Sequence, residues 1–258
     1  MIDIADRPEI APELRLVPHA FRQTFGRPAT GVWYAPGVLN LLGGAVRVQA
    51  KWGAIVAGER REDGKLELVS VNRPTERALL PAQDVPAWAA PLTGSKGGAT
   101  LMCSVDLPQG SGLSAGEALR TAVGLALRDL AAERFEEPPA VPLDLPGQRL
   151  LVVDTRVRRP QPQQERPFTP RTEDLGAEMT AYHHVQVPDP EQDAVVRAAL
   201  AAGARGACML IDPPGRPAVA LVDADLVPAV KKAITRAVEV PPRYLTIVPR
   251  SLNNFSVT

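Results

Sequence analysis

Thr100-Leu101-Met102-Cys103-Ser104-Val105-Asp106-Leu107-Pro108-Gln109-Gly110-Ser111-Gly112-Leu113-Ser114-Ala115-Gly116-Glu117-Ala118-Leu119 is the stretch whose reading decides the fold. Its first six residues form an apolar run of strand length, and Pro108 to Ser114 break it with a glycine-rich turn. Leu119, Val123, Ala126, Leu127 and Leu130 then recur at helical spacing, and Pro138-Pro139 stops the pattern. The segment therefore predicts strand, glycine turn, helix. Such a turn can cradle an anion with the N–H groups of a helix N-terminus. Ser114-Ala115-Gly116-Glu117 also fits the S-x-x-E capping box, in which the glutamate folds back on those same N–H groups. The cap is the simpler reading, because Glu117 would set a negative charge where a phosphate needs donors.

Working outward toward the N-terminus, residues 32–34 read as a short strand that Ala35-Pro36-Gly37 breaks into a turn before the apolar residues 38–42. Residues 54–57 read as a further strand, and Asp63-Gly64 as the tight turn of a hairpin leading to Leu66 and Leu68. Toward the C-terminus, the apolar run 150–154 after Pro146-Gly147 reads as a buried central strand. The prolines and glutamines of 158–170 predict an extended, mobile loop. Beyond it come a helix over 193–202 closed by Gly203, strands over 207–211 and 218–222, a helix over 226–238 and a strand over 244–248. Helices packed on one face of an antiparallel sheet make an α+β class. The expected division is 1–148 and 149–258, with 158–172 as linker or mobile loop.

Composition narrows the function classes. Lys+Arg and Asp+Glu both total 29, so no net basic field draws the chain to nucleic acid. Arg156, Arg158 and Arg159 read as a solvated loop. No apolar run is long enough to span a bilayer, and the first twelve residues lack the apolar core of a secretory signal. The expected compartment is the cytoplasm. Cys103 and Cys208 lie in apolar runs without metal-ligand spacing and read as reduced, buried thiols. His183-His184 are adjacent and cannot face one metal from a regular helix or strand, so they read as surface or loop residues. His19 reads as structural, and Trp33, Trp52 and Trp88 as fillers of core or lobe-interface gaps.

Three stretches, in order, resemble the galactokinase branch of the GHMP kinases. Phe21-Arg22-Gln23-Thr24-Phe25-Gly26-Arg27-Pro28 followed by Ala35-Pro36-Gly37-Val38-Leu39-Asn40-Leu41-Leu42-Gly43 is similar to the family's first motif, which runs on as A-P-G-R-V-N-L-I-G-E-H-T-D-Y. Residues 108–119 resemble its phosphate loop, P-x-G-x-G-L-S-S-S-A-A-L. Residues 150–158, 198–222 and 229–238 resemble its C-terminal lobe. The resemblance implies an N-terminal lobe like ribosomal protein S5 domain 2, a ferredoxin-like C-terminal lobe and a cleft between them. It also marks Pro108, Gly110, Ser111, Gly112, Leu113 and Ser114 as a remnant phosphate loop.

The same alignment exposes departures at the positions that carry the family's chemistry. Val38 stands where the family's arginine steadies the transferring phosphoryl group, and Gly44, Ala45, Val46 and Arg47 stand where Glu-His-x-Asp grips the sugar. Ala115 and Gly116 replace serines, one of which ligates Mg²⁺ in the family. No G-x-M-D-Q segment with its aspartate base precedes residue 150, which leaves only Asp144, a turn residue, or Asp154, a strand-end residue. Arg205-Gly206-Ala207-Cys208-Met209 replaces the third motif, G-G-G-F-G-G. Phosphoryl transfer rests on positioning and on cationic groups. The expectation is a degenerate galactokinase-like protein, with no catalytic residue, metal or cofactor, that binds a protein partner or small ligand. Two alternatives remain open: an ATP- and Mg-dependent sugar kinase rebuilt around Ser111, Ser114, Glu117 or Asp154, and a structural subunit of a larger assembly.

Overall fold

The computed structural model describes residues 12–82, 84–107, 112–136, 143, 145–157, 165–211, 216–249 and 255–257. The chain runs α1 (Pro12–Phe25), β1 (Gly31–Leu41), β2 (Val46–Arg60), β3 (Leu66–Ser70), β4 (Arg73–Leu80), β5 (Ala99–Val105), α2 (Ala115–Ala131), β6 (Gln148–Asp154), α3 (Leu175–Val185), α4 (Pro190–Ala201), β7 (Gly206–Met209), β8 (Ala218–Asp223), α5 (Val227–Ala237), β9 (Arg243–Ile247) and β10 (Phe255–Val257). A first sheet has the order β10-β1-β2-β5-β3-β4 and a second the order β7-β8-β6-β9.

Alternation along each strand dictates how the layers stack. In the first sheet Trp33, Ala35, Val56, Leu101 and Cys103 turn one way and meet Leu119, Ala122, Val123 and Ala126 of α2. Val32, Ile55, Ala57 and Met102 turn the other way and meet Val17 and Phe21 of α1. The sheet is thus covered on both faces. In the second sheet Leu151, Val153, Ala220 and Val222 face Val195, Val196 and Ala199 of α4 and Val230 and Ile234 of α5. Leu150, Val152, Val219 and Leu221 face Met179 and Tyr182 of α3 together with Leu39, Leu41 and Val48 of the first sheet and Leu113 of the turn before α2. One buried cluster therefore joins the two sheets.

Several expectations change here. Ala35-Pro36-Gly37 does not end the first strand: β1 runs through it against β2, with the register shifting between Pro36 and Val38. Pro36 sits at that register shift, a place in a sheet where a proline's missing N–H is tolerated, and among the described residues β10 pairs with Val32, Trp33 and Tyr34. The tightness of the approach is visible at Gly53, where a Cβ would lie 2.1 Å from the Ala35 carbonyl oxygen. Asp63-Gly64 is a turn, with Gly64 at φ +69° and Asp63 accepting the Lys65 N–H, but not that of a hairpin. β5 inserts between β2 and β3, pairing antiparallel with the first and parallel with the second. Helices α1 and α3 were not foreseen. The central place of β6 and the helix and strand order after residue 189 follow the sequence pattern.

Residues 158–164 of the expected mobile loop lie outside the described residues, as does part of the Arg156, Arg158, Arg159 cluster; Arg156 itself is exposed. Residues 165–172 are tied to α3 instead of running free. The Arg166 N–H donates to Gln186 Oε1, Gln186 Nε2 donates back to the Arg166 carbonyl, and Phe168 stacks edge-on against Tyr182 at 5.4 Å. Cys103 and Cys208 are buried and unpaired, and burial pushes both thiols up to about 12. No helix among the described residues is long and apolar enough to cross a membrane.

Candidate functional site

β1 ends in a tight 3-10 turn over Leu42–Gly44, and the chain returns at once as β2. Leu42, Gly43 and Gly44 all have positive φ, at +55°, +69° and +88°, a conformation that glycine adopts without cost and leucine does not. The antiparallel register sets Asn40 opposite Arg47, so their side chains emerge on the same face beside the turn. Arg47 extends to the first turn of α2 and ion-pairs with Glu117 through Nη2 and Oε1.

This pair replaces the expected capping box. Ser114 is the N-cap of α2, yet its side chain makes no capping hydrogen bond. The physical reason is competition: a half-buried guanidinium offers Glu117 a charge-assisted bond, stronger than one from a backbone N–H. The turn ahead of the helix is also engaged. The Ser114 N–H donates to the Val38 carbonyl at 3.0 Å, and Leu113 bridges Leu39 as extended backbone. At Gly112, with φ +70°, a Cβ would meet Leu210 Cδ1 at 2.5 Å and Pro217 Cγ at 3.1 Å. Pro108, Gly110 and Ser111 of the remnant loop lie outside the described residues, so only Gly112, Leu113 and Ser114 can be placed. Arg47 reaches the helix start, whereas Trp33 points into the first core and donates through Nε1 to Asp129 at 2.9 Å.

Between the 42–44 turn and α3 is a cavity of about 210 Å³ lined by Asn40, Gly43, Gly44, Arg47, Glu165 and Tyr182, with Leu210 and Ile211 closing it. Glu165 arrives from the segment before α3 and accepts the Tyr182 hydroxyl at 2.5 Å. Burial, and then the Glu165 carboxylate, push the Tyr182 phenol well up from its ordinary value, so it stays protonated and acts as a donor. Glu165 Oε1 would lie 2.6 Å from a Cβ on Gly43, which leaves a carboxylate facing the cavity where a side chain would otherwise stand.

The remaining candidates are dispersed. Asp154 is buried at the end of β6, accepts the Arg156 N–H at 2.9 Å and does not line the cavity. Asp144 lies outside the described residues. His183 is buried on α3, not at the surface; burial lowers its pKa, and its Nε2 is 3.6 Å from Asp193. No group of three His, Cys, Asp or Glu side chains that could hold a metal occurs among the described residues. Sequence reasoning missed Glu165 and Tyr182 altogether. The signal for Tyr182 was Leu175, Met179 and Tyr182 at helical spacing; Glu165, in a proline- and glutamine-rich run, carried none.

No family model matches the chain. The galactokinase of Streptomyces coelicolor is 32% identical over 135 residues, covering 43% of this chain and 35% of that protein, so the match spans about a third of that relative's length. Among solved structures, the galactokinase of Lactococcus lactis in complex with galactose superposes with a TM-score of 0.73 at 17% identity, over 94% of this chain and 99% of that one. The homoserine kinase of Cytophaga hutchinsonii gives 0.56 at 14% identity over 88% and 96%, and a mevalonate kinase 0.51 at 10% identity over 86% and 99%. Taken with the ordered motifs, these likenesses support a galactokinase-like relationship to the GHMP kinases, and the superpositions show that the chain has their two-lobe α+β fold.

Proposed function

We propose that this chain is a catalytically degenerate galactokinase-like protein that acts by binding, taking a small ligand in the cavity beside the 42–44 turn. The observation that carries this reading is the ion pair between Arg47 and Glu117. A nucleotide phosphate brought to the start of α2 would meet a carboxylate there and would have to separate it from its guanidinium. Catalysis of phosphoryl transfer consists of positioning and of countering negative charge. Val38 offers no cation, Ala115 and Gly116 offer no metal-binding hydroxyl, and the Ser114 N–H is already spent on Val38. A fold can outlive its chemistry, and its site then serves recognition alone.

Calorimetric titration with Mg-ATP tests this directly. The expected result is no saturable binding and no ADP release on a panel of sugars that includes galactose. Micromolar binding with turnover would sink the reading in favour of an active ATP-dependent sugar kinase working through Ser111, Ser114, Glu117 or Asp154. A role through a protein partner, or as a subunit of an assembly, predicts a second species in light scattering after co-purification.

A further inference from the structure

We propose that the cavity takes a small polar molecule through a protonated amine, with the Glu165 carboxylate as the counter-charge. This deepens the reading of the cleft as a binding site without chemistry, and rests on it.

The charge inventory of the lining carries the argument. Among the described residues that line the cavity Arg47 is the single cation, and its charge is held by Glu117. Glu165 is the single carboxylate among those same described lining residues. Its one hydrogen-bond donor among the described residues is the neutral Tyr182 hydroxyl, which orients the group without offsetting its charge. Arg47, Glu117 and Glu165 together leave one net negative charge. An anion is repelled there, and a neutral hydroxyl compound gains hydrogen bonds alone. An ammonium group gains the Coulomb attraction as well, in a partly enclosed space where that attraction exceeds its value in water.

The shape agrees with the charge. Gly43 and Gly44 form the turn beside Glu165, and nothing lies within 4 Å of where a Cβ on Gly44 would be. The carboxylate is therefore reached over bare backbone. Asn40 supplies an amide donor and acceptor at the rim, suited to a hydroxyl neighbouring the amine. A volume of about 210 Å³ is that of roughly seven waters at ~30 Å³ each, room for a single-ring polar molecule.

Three probes of one ring and different charge test the proposal: galactosamine, galactose and galacturonate, titrated calorimetrically in low salt below neutral pH. The expected order is galactosamine tighter than galactose by on the order of tenfold, with no saturable binding of galacturonate. Added salt narrows the gap. Glu165→Gln keeps an acceptor for Tyr182 and removes the charge, so it should abolish the preference while leaving the thermal melt in place. N-acetylgalactosamine, which carries no charge, should bind no better than galactose to the unaltered protein, a control that holds even where the variant folds poorly. Equal binding of galactose and galactosamine, a preference that survives Glu165→Gln, or no saturable binding of galactosamine would overturn the proposal. A Mg-ATP arm separates the two claims: ADP release defeats the binding-only reading and leaves the amine preference standing.

Discussion

Gly43 and Gly44 stand side by side with φ of +69° and +88°, yet different constraints hold them. Alanine at either position meets the backbone cost of the left-handed region, about 1 kcal/mol. At Gly43 the new Cβ would also press on Glu165 Oε1 at 2.6 Å, whereas at Gly44 it would enter open space. Gly43→Ala is thus expected to destabilise by roughly 1 kcal/mol more than Gly44→Ala in urea melts, and the excess should vanish when Glu165 is also replaced by alanine. A cycle with no coupling would show that Glu165 does not hold that position. His183 supports a prediction in pH. Burial pushes its pKa below the ordinary histidine value, Asp193 on α4 opposes the shift at 3.6 Å, and neighbouring His184 adds to it. With the folded pKa depressed, the unfolded chain binds the proton first as pH falls. The contribution to stability is therefore complete above the ordinary histidine pKa and is lost as pH drops from there toward the folded value. Melts at neutral and mildly acidic pH should show a smaller acid-side loss in His183→Phe than in the unaltered protein.

At the scale of elements, two helix starts make opposite predictions from similar sequence. Ser114 and Asp189 both occupy N-caps, but only Asp189 accepts the N–H three residues on, in a reciprocal box with Gln192. Asp189→Ala should cost about 1–2 kcal/mol of stability and Ser114→Ala no more than a few tenths, measured by chemical denaturation. At α2 the weight falls on the Arg47 pair, so Glu117→Ala should cost about 1 kcal/mol although no cap is lost. These contrasts also show what sequence can convey about an element. Helix α2 and the second sheet were legible because their hydrophobic periods are local and uninterrupted. Helix α1 was not, although Leu14, Val17, Phe21 and Phe25 keep helical spacing, because Pro18 sits inside it and lacks an N–H for the Leu14 carbonyl, which a local rule reads as a break. The glycine turn and the capping motif were visible as residue types. Their use was not, since Glu117 answers to an arginine seventy residues away.

For the whole molecule, the decisive information was non-local. Nothing in residues 55–68 records that β5 will insert between β2 and β3, and nothing in the 165–172 segment records that its glutamate will meet the 42–44 turn. Both follow from the way the layers close, through a cluster in which Leu39, Leu41 and Val48 of the first sheet share a core with Leu150, Val152 and Leu221 of the second and Tyr182 of α3. The cavity lies at the rim of that core, so its geometry depends on the two sheets staying docked. A shared core of this kind couples their stabilities, because neither face can open without exposing the other's apolar side chains. Leu41 is fully buried there, and Leu41→Ala should cost about 2–5 kcal/mol through lost burial and a residual cavity. The location of that loss is the test. If the sheets form one cooperative unit, hydrogen exchange should show the amides of β6 losing as much protection as those of β1, even though the substitution lies in β1. Retained protection in β6, with β1 alone made labile, would mean that the second sheet folds on its own and that the cavity opens by undocking.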